Sequence, residues 1–371
     1  MSIEVREAES DDDREAAYRL RYDVYVEEMG RYGAIADHDN RRLVEPVDAT
    51  SRIFVAFDGE RAVGTSRITW GGDAAFCERH VEQYRLAPFL DELAADTMAV
   101  GERFMVRPEL RGGDLLFRFF EVHMGFANER RIQLSFGDCE PHLLGIYQRL
   151  GFRPYSRTNV NSPEAGYLVP LVMVVEDVDY CRRLGSPIAH LMRDFGDDAR
   201  IPACASRLIE GGSITSELFV DDDEYWSEVH RTLDQLEPSQ FSLFWDLDED
   251  EVEACLEKSN IVECAQGDRL LKQGNPARNM FVVLEGVLEV RRSDGASIAF
   301  LTIGDVVGEA AFLTGQPRSM DVYAFTDAVR VLSLSESSLR GLMADSPTVA
   351  AKLLLNLSRM LCVKMLRTNR N

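Results

Sequence analysis

Over the first 180 residues the apolar positions repeat with two different periods. Helical spacing runs through Asp11–Val26, Pro88–Asp96, Asp114–Glu129 and Glu140–Leu150, the last stopped at Gly151. Strand-like runs occupy Ile53–Phe57, Val63–Thr69, Glu102–Val106, Ile132–Phe136 and Gly166–Val175, and Asp58-Gly59-Glu60 predicts a hairpin between the first two. Interleaved helices and strands of this kind predict a mixed α/β sheet. From residue 241 the pattern changes. Alternation in Met280–Leu284 and Val287–Arg291, with turn signals at Gly267-Asp268, Gln273-Gly274-Asn275, Gly286, Ser293-Asp294-Gly295 and Gly304-Asp305, predicts an eight-stranded β jelly roll. Phe241–Phe244 and Asp248–Lys258 read as lead-in helices. Val349, Leu353, Leu357, Leu361 and Met365 place a helical stripe over Thr348–Leu366. The expected fold class is an α+β multidomain chain: a mixed α/β domain over 1–185, an acidic helical connector over 186–240, and a jelly roll with flanking helices over 241–371.

Composition sharpens this picture in three places. With 371 residues, 45% of them hydrophobic and 28% charged, the chain reads as a soluble globular protein of more than one domain, with no run long enough to span a bilayer. The N-terminus has no signal-peptide apolar region, and seven scattered cysteines show no disulfide framework, so the expected compartment is the reducing cytoplasm. His38, His80, His123, His142, His190 and His230 lack ligand spacing, so no metal site is expected. The net charge of −22 argues against nucleic acid as a partner. It is concentrated: Asp194 to Glu257 holds 19 acidic and three basic residues. That run reads as a solvated linker or as an acidic flap over a basic site.

The stretch Gly308-Glu309-Ala310-Ala311-Phe312-Leu313-Thr314-Gly315-Gln316-Pro317-Arg318-Ser319 supplies one carboxylate and one guanidinium flanking a short helical turn. A ribose 2′-hydroxyl asks for an acceptor such as Glu309, and a cyclic phosphate for a fork-shaped donor such as Arg318. Backbone N–H groups around Ala310 add the dipole of a helix start. The stretch resembles the phosphate-binding cassette of cyclic nucleotide-binding domains, and the resemblance extends over residues 241–371. It implies a regulatory small-molecule ligand, cAMP favoured and cGMP left open, held by Gly308, Glu309, Ala310, Arg318 and Ser319. The helix Thr348–Leu366 would be the lid of its own barrel or a homodimer contact. No helix-turn-helix is expected after it.

Two segments of the first half resemble acyltransferases of the GNAT superfamily. Phe104-Met105-Val106-Arg107-Pro108-Glu109-Leu110-Arg111-Gly112-Gly113-Asp114-Leu115 is similar to the strand, turn and helix that hold pantetheine and pyrophosphate. His142–Phe152 is similar to the signature helix ending in Leu-Gly-Phe. Where acetyl-CoA enzymes carry two glycines, this chain has Asp114 and Leu116, and an aspartate there repels a diphosphate. Acyl-homoserine lactone synthases and N-acyl amino acid synthases tolerate this change. Arg21–Gly30, Glu45-Pro46-Val47-Asp48-Ala49, Gly64-Thr65-Ser66-Arg67-Ile68 and Gly101–Val106 resemble their motifs, although Glu102 adjoins Arg103 here.

The resemblance implies transfer of a long-chain acyl group from a pantetheine thioester, acyl carrier protein or acyl-CoA, to an amine such as an amino acid. Phe104, Met105, Val106, Arg111, Gly112 and Gly113 would hold the donor. Glu102 would draw the proton from the amine, and Tyr147 would protonate the leaving thiolate. Arg67 and Arg103, with Asp48, would clamp an acceptor carboxylate. Arg107, Arg111, Arg118, Arg130 and Arg131 read as a basic face for an acidic carrier protein or as a solvated surface. Arg67 with Asp48 equally reads as a structural ion pair, and Tyr147 as core. Two other functions stay open: a cAMP-regulated lysine acetyltransferase using acetyl-CoA, and an inactive nucleotide sensor.

Overall fold

Gly59 adopts the left-handed φ of 63° that a tight turn requires, and on either side of it the alternating runs pair as an antiparallel hairpin, β2 (Arg52–Asp58) with β3 (Arg61–Trp70). This hairpin is the centre of the first half. A computed structural model of the protein describes residues 3–156, 159–192, 201–209, 214–215, 242–256, 259–276 and 278–368. The chain divides into two compact units. One comprises Met1–Cys139, Ile146–Ser156 and Val169–Gly212; the other comprises Glu140–Gly145, Arg157–Leu168 and Ser213–Asn371.

Six further strands complete the first sheet: β1 (Glu4–Glu7), β4 (Met98–Val106), β5 (Leu134–Cys139), β6 (Phe152–Pro154), β7 (Val160–Ser162) and β8 (Gly166–Val174). Their order is β1–β2–β3–β4–β5–β8–β6, with β7 against β8, and only β4–β5 is parallel. Helix α1 (Asp11–Arg21) begins where Ser10 Oγ accepts from the Asp13 N–H at 3.1 Å, with Asp11, Asp12 and Asp13 against its positive end. The helical spacing to Val26 continues as a π-helical turn over Tyr22–Glu28. The Pro88–Asp96 pattern yields only a short helix, α3 (Ala87–Leu90); a helix not anticipated, α2 (Glu78–Gln83), precedes it. Helix α4 (Leu115–Arg130) buries Leu115, Phe119, Phe120, Met124, Phe126 and Ala127, and Arg131 ends it in left-handed conformation. The expected Glu140–Leu150 helix is a 3-10 turn at Pro141–Leu143 followed by α5 (Leu144–Arg149).

The second unit contains two antiparallel sheets. One has the order β15 (Val306–Val307), β12 (Asn279–Glu285), β17 (Ala328–Ser335), β10 (Asn260–Ala265), β9 (Ile214–Thr215). The other has the order β11 (Arg269–Leu271), β16 (Asp321–Ala324), β13 (Leu288–Arg291), β14 (Ser297–Leu301). Apolar inner faces of Ile261, Met280, Val282, Leu284, Leu332 and Leu334 meet the helices α8 (Glu249–Leu256), α10 (Glu336–Asp345) and α11 (Pro347–Thr368). Within the predicted terminal stripe, Leu353 and Leu357 pack into this core, whereas Met365 is exposed. The strand and loop at 159–168 belong to this unit too: Asn275 Nδ2 donates to Ala165 O at 2.7 Å, and Tyr167 Oη donates to Glu263 O at 2.8 Å. Most of the expected acidic connector (193–200, 210–213 and 216–240) lies outside the described residues; α7 (Ala203–Ile209) is a described part of it.

Candidate active site and nucleotide site

Strand β4 pairs with β5 only from Met98↔Leu134 to Val100↔Phe136. Beyond that point each strand has a glycine, Gly101 and Gly137, and the strands part. Two residues on, Arg103 has φ 55°, a left-handed conformation that is strained for a residue with a side chain. Alternation along a regular strand sends neighbours to opposite faces. The kink at Arg103 breaks that rule, so Glu102 and Arg103 reach one connected network.

That network is built on Arg67, which is fully buried on β3. Its Nη1 donates to Glu45 Oε2 and to Asp48 Oδ1, each at 2.9 Å, and its Nη2 donates to Glu102 Oε2 at 2.9 Å. Arg103 grips Glu45 with two bonds of 2.6 Å, and Arg21 donates to Asp48 at 2.8 Å. In this arrangement the forks of Arg67 and Arg103 are taken by the protein's own carboxylates. Where an acceptor-carboxylate clamp was expected of Arg67, Arg103 and Asp48, the two cations are paired with internal anions in a buried lattice.

Glu102 receives donors from a helix that the apolar spacing did not announce. From α2, Arg79 donates to both of its oxygens at 2.8 and 3.1 Å, and His80 Nε2 lies 2.8 Å from Oε2. Tyr84 Oη donates to Oε1 at 3.3 Å. Burial would raise the pKa of Glu102, but Arg67, His80 and Arg79 together hold it well below the usual carboxylate range.

Beside the network lies a cavity of about 80 Å³, walled chiefly by Phe104, Phe120, Met124, Phe126, Phe136 and Phe152. Its polar groups gather at the strand divergence: Arg67, Glu102, Asp138 and Tyr147. Burial pushes the Tyr147 phenol above its ordinary pKa, so it stays protonated. On the wall, Ser66 Oγ and His123 Nε2 are 2.8 Å apart, and burial pulls the His123 pKa down to about 3. Phe104 faces the cavity, while Met105 joins the core under α1 and Val106 is buried.

The turn between β4 and α4 carries the other donor-binding candidates. Gly112 has φ 80°, and Arg111 is held by Val106 O at 3.1 Å and by two bonds to Glu28 at 2.6 and 2.8 Å. Gly113 closes the turn on Leu110 O at 3.4 Å. Asp114 is paired with Arg118 through bonds of 2.7 and 2.8 Å, which offsets the repulsion expected toward a phosphate. Arg107 likewise pairs with Asp23. The expected basic face is therefore largely neutralised within the protein.

In the second unit, Gly308 takes φ 82° and begins α9 (Glu309–Thr314), which Gly315 closes at φ 68°. A Cβ at Gly308 would stand 2.4 Å from Arg318 Nη1. Arg318 is 5% exposed; its Nη1 donates to Gly308 O at 2.7 Å and its Nη2 to Asn279 Oδ1 at 3.0 Å and to Asn279 O. Burial lowers its pKa to about 10, against the charges of Glu140 and Glu309. Among the described residues it makes no ion pair. A buried cation satisfied only by carbonyls and an amide calls for an anion. Glu309, also buried, accepts from Lys364 of α11 at 2.8 Å, and Ala310 and Ser319 flank the pair in sequence.

Residues 16–173 match the family described as N-acyl amino acid synthase FeeM, and residues 261–346 match the cyclic nucleotide-binding domain. The chain thus joins a segment that matches the N-acyl amino acid synthase family to one that matches the cyclic nucleotide-binding domain. Among curated proteins it is similar to the L-ornithine N(alpha)-acyltransferase of Rhodobacter capsulatus, 28% identical over 154 residues, covering 38% of this chain and 58% of that protein. It is also similar to Glutaminase 2 of Bradyrhizobium diazoefficiens, 31% identical over 128 residues, covering 34% of this chain and 20% of that protein. The chain thus spans well under two thirds of the length of either. A solved CoA-dependent acyl-homoserine lactone synthase shares 17% identity at a TM-score of 0.39, over 56% of this chain and 97% of its own. Among the described residues no helix is long and apolar enough to cross a membrane, and no cluster of side chains fits a metal ion.

The charge lattice of the first unit sets an acid limit. Burial opposes ionisation of Glu45, but Arg103 and Arg67 bring its pKa from 4.5 down to about 2. A carboxylate more acidic folded than unfolded stabilises above the unfolded value, and that contribution disappears as pH falls toward the folded one. About 3 kcal/mol is therefore expected to be lost between pH 4.5 and 2 from this residue. Denaturant unfolding at stepped pH should show a flatter profile in that window for Glu45→Gln. An unchanged slope would remove Glu45 from the lattice.

Proposed function

We propose that the protein is a cyclic-nucleotide-regulated N-acyltransferase, moving an acyl group from a pantetheine thioester to the amine of an acceptor such as an amino acid. The observation that carries this reading is the cavity. An aromatic-lined space of about 80 Å³ ends at the divergence of β4 and β5, where carboxylates and the phenol of Tyr147 converge. Apolar walls stabilise a long alkyl chain by about 0.8 kcal/mol for each buried methylene. The thioester carbonyl would then lie at the polar end.

The aromatic lining, rather than the volume, favours an alkyl chain over acetyl, and so favours this reading over a lysine acetyltransferase. Tyr147 is the proposed acid toward the leaving thiolate. The turn Arg111-Gly112-Gly113 and strand residues Phe104, Met105 and Val106 are proposed to hold the pantetheine arm, on an acyl carrier protein or on CoA. In the second unit, Gly308, Glu309, Ala310, Arg318 and Ser319 are proposed to hold cAMP, with cGMP as the competitor. The ligand regulates only if it binds one arrangement of the protein better than another.

The test is an assay by mass spectrometry of the full chain with acyl-CoA and acyl carrier thioesters of graded length. Each is presented with ornithine and other amino acids, with and without each cyclic nucleotide. N-acyl product that peaks with long chains and changes in rate with a nucleotide supports the proposal. Absence of product with every donor supports an inactive sensor instead.

A further inference from the structure

Within the proposed acyltransferase reaction, we infer that Asp138, not Glu102, accepts the proton of the acceptor amine. The two carboxylates occupy matching places. Each is the first ionisable residue after the glycine at which β4 and β5 part, and each lines the cavity. Their surroundings differ. The oxygens of Glu102 accept four hydrogen bonds, from Arg67, from Nη1 and Nη2 of Arg79 and from Tyr84, and His80 Nε2 lies 2.8 Å from Oε2. A carboxylate offers about four lone-pair sites, so Glu102 has none left for a proton from substrate. It serves as the anion that gathers α2 onto β4.

Asp138 is bonded by the neutral Gln83 amide, which donates to Oδ2 at 2.7 Å. Among the described residues it makes no ion pair. The ionisable groups that act on it or are acted on by it are Tyr84 just after α2, Glu102 and Arg103 of β4, Tyr147 of α5, Tyr32 and Tyr155. Arg103 is turned toward Glu45 and Tyr32. Burial raises the Asp138 pKa, with the charge of Glu102 acting in the same sense, against hydrogen bonds from Gln83 and Tyr84 and the charge of Arg103. A carboxylate moved toward neutrality in this way is a better proton acceptor than one held by cations.

The step balances as follows. The Asp138 carboxylate takes one proton from the acceptor ammonium and passes it to water. The neutral amine forms the C–N bond, and the C–S bond breaks with its electron pair on sulfur. Tyr147 protonates the sulfur, and the remaining surplus proton on nitrogen returns to the phenolate. The products are an amide and a pantetheine thiol.

The experiment uses the full chain and compares wild type, Asp138→Asn and Glu102→Gln with ammonium-type acceptors and with hydroxylamine, which is already neutral at pH 7. Asp138→Asn is expected to lower kcat about 100-fold with an amino-acid acceptor. Its rate should climb with pH as the free amine appears, and it should approach wild type with hydroxylamine. Thermal melting should be unchanged. Glu102→Gln should lower the melting temperature while keeping the wild-type pH profile. Equal loss with both acceptors would overturn the inference by making Asp138 structural, and so would a wild-type rate in Asp138→Asn. A wild type that forms no product with either acceptor defeats the acyltransferase reading itself, and the inference with it.

Discussion

Replacing Arg318 by alanine is expected to weaken binding of a cyclic nucleotide about 100-fold or more, which corresponds to roughly 3 kcal/mol. The guanidinium is buried, remains cationic at neutral pH with a pKa of about 10, and among the described residues donates hydrogen bonds to Gly308 and Asn279 alone. A cyclic phosphate would be the first anion bonded to it. Its removal from the ligand-free protein should be nearly neutral, because burial disfavours its charge more than Glu140 and Glu309 support it. Isothermal calorimetry with cAMP and cGMP, beside thermal melting of the empty protein, separates these effects. Lost affinity with an unchanged melt is the expected pair; binding at wild-type strength would move the phosphate elsewhere.

Arg67→Met is expected to cost about 3–5 kcal/mol of stability, the range for breaking a buried ion pair from one side. Methionine fills much of the volume but returns none of the three charge-assisted bonds to Glu45, Asp48 and Glu102. Those carboxylates would remain buried with fewer cations. A unit of this size should lose roughly 6–20 °C in melting temperature. The double variant Arg67→Met with Glu102→Gln should cost less than the sum of the two, since the second change removes a charge the first left unpaired. A loss below about 1 kcal/mol would mean that the lattice adds little beyond packing.

The residues of the candidate nucleotide site stand close together in sequence, so their juxtaposition was legible. Glu309 and Arg318 stand on either side of one short helix, bounded by glycines whose left-handed backbone the residue type itself announces. The sheet was legible for a similar reason: β2 and β3 declare themselves by period and turn. The acyl site was hidden for two physical reasons. Arg79, His80 and Gln83 sit on a six-residue helix with too few apolar positions to show a period, yet they fix the state of Glu102 and Asp138. Arg103 adopts a conformation that nothing in an arginine predicts, and that conformation alone brings neighbouring residues 102 and 103 into one network. Asp138 was overlooked because an acid near the end of a strand reads as the start of a turn. His123 and Ser66 were overlooked because they become partners only across the fold.

The two units interleave along the chain, and this governs how the protein can be taken apart. Cutting at residue 185 or 240 would leave Glu140–Gly145 and Arg157–Leu168 on the wrong fragment. A fragment beginning at residue 241 would lose Ala165 O and Tyr167, which bond Asn275 and Glu263. Neither unit is a cassette that can be moved with a single junction; a transplant has to carry the short inserts along with the long segments.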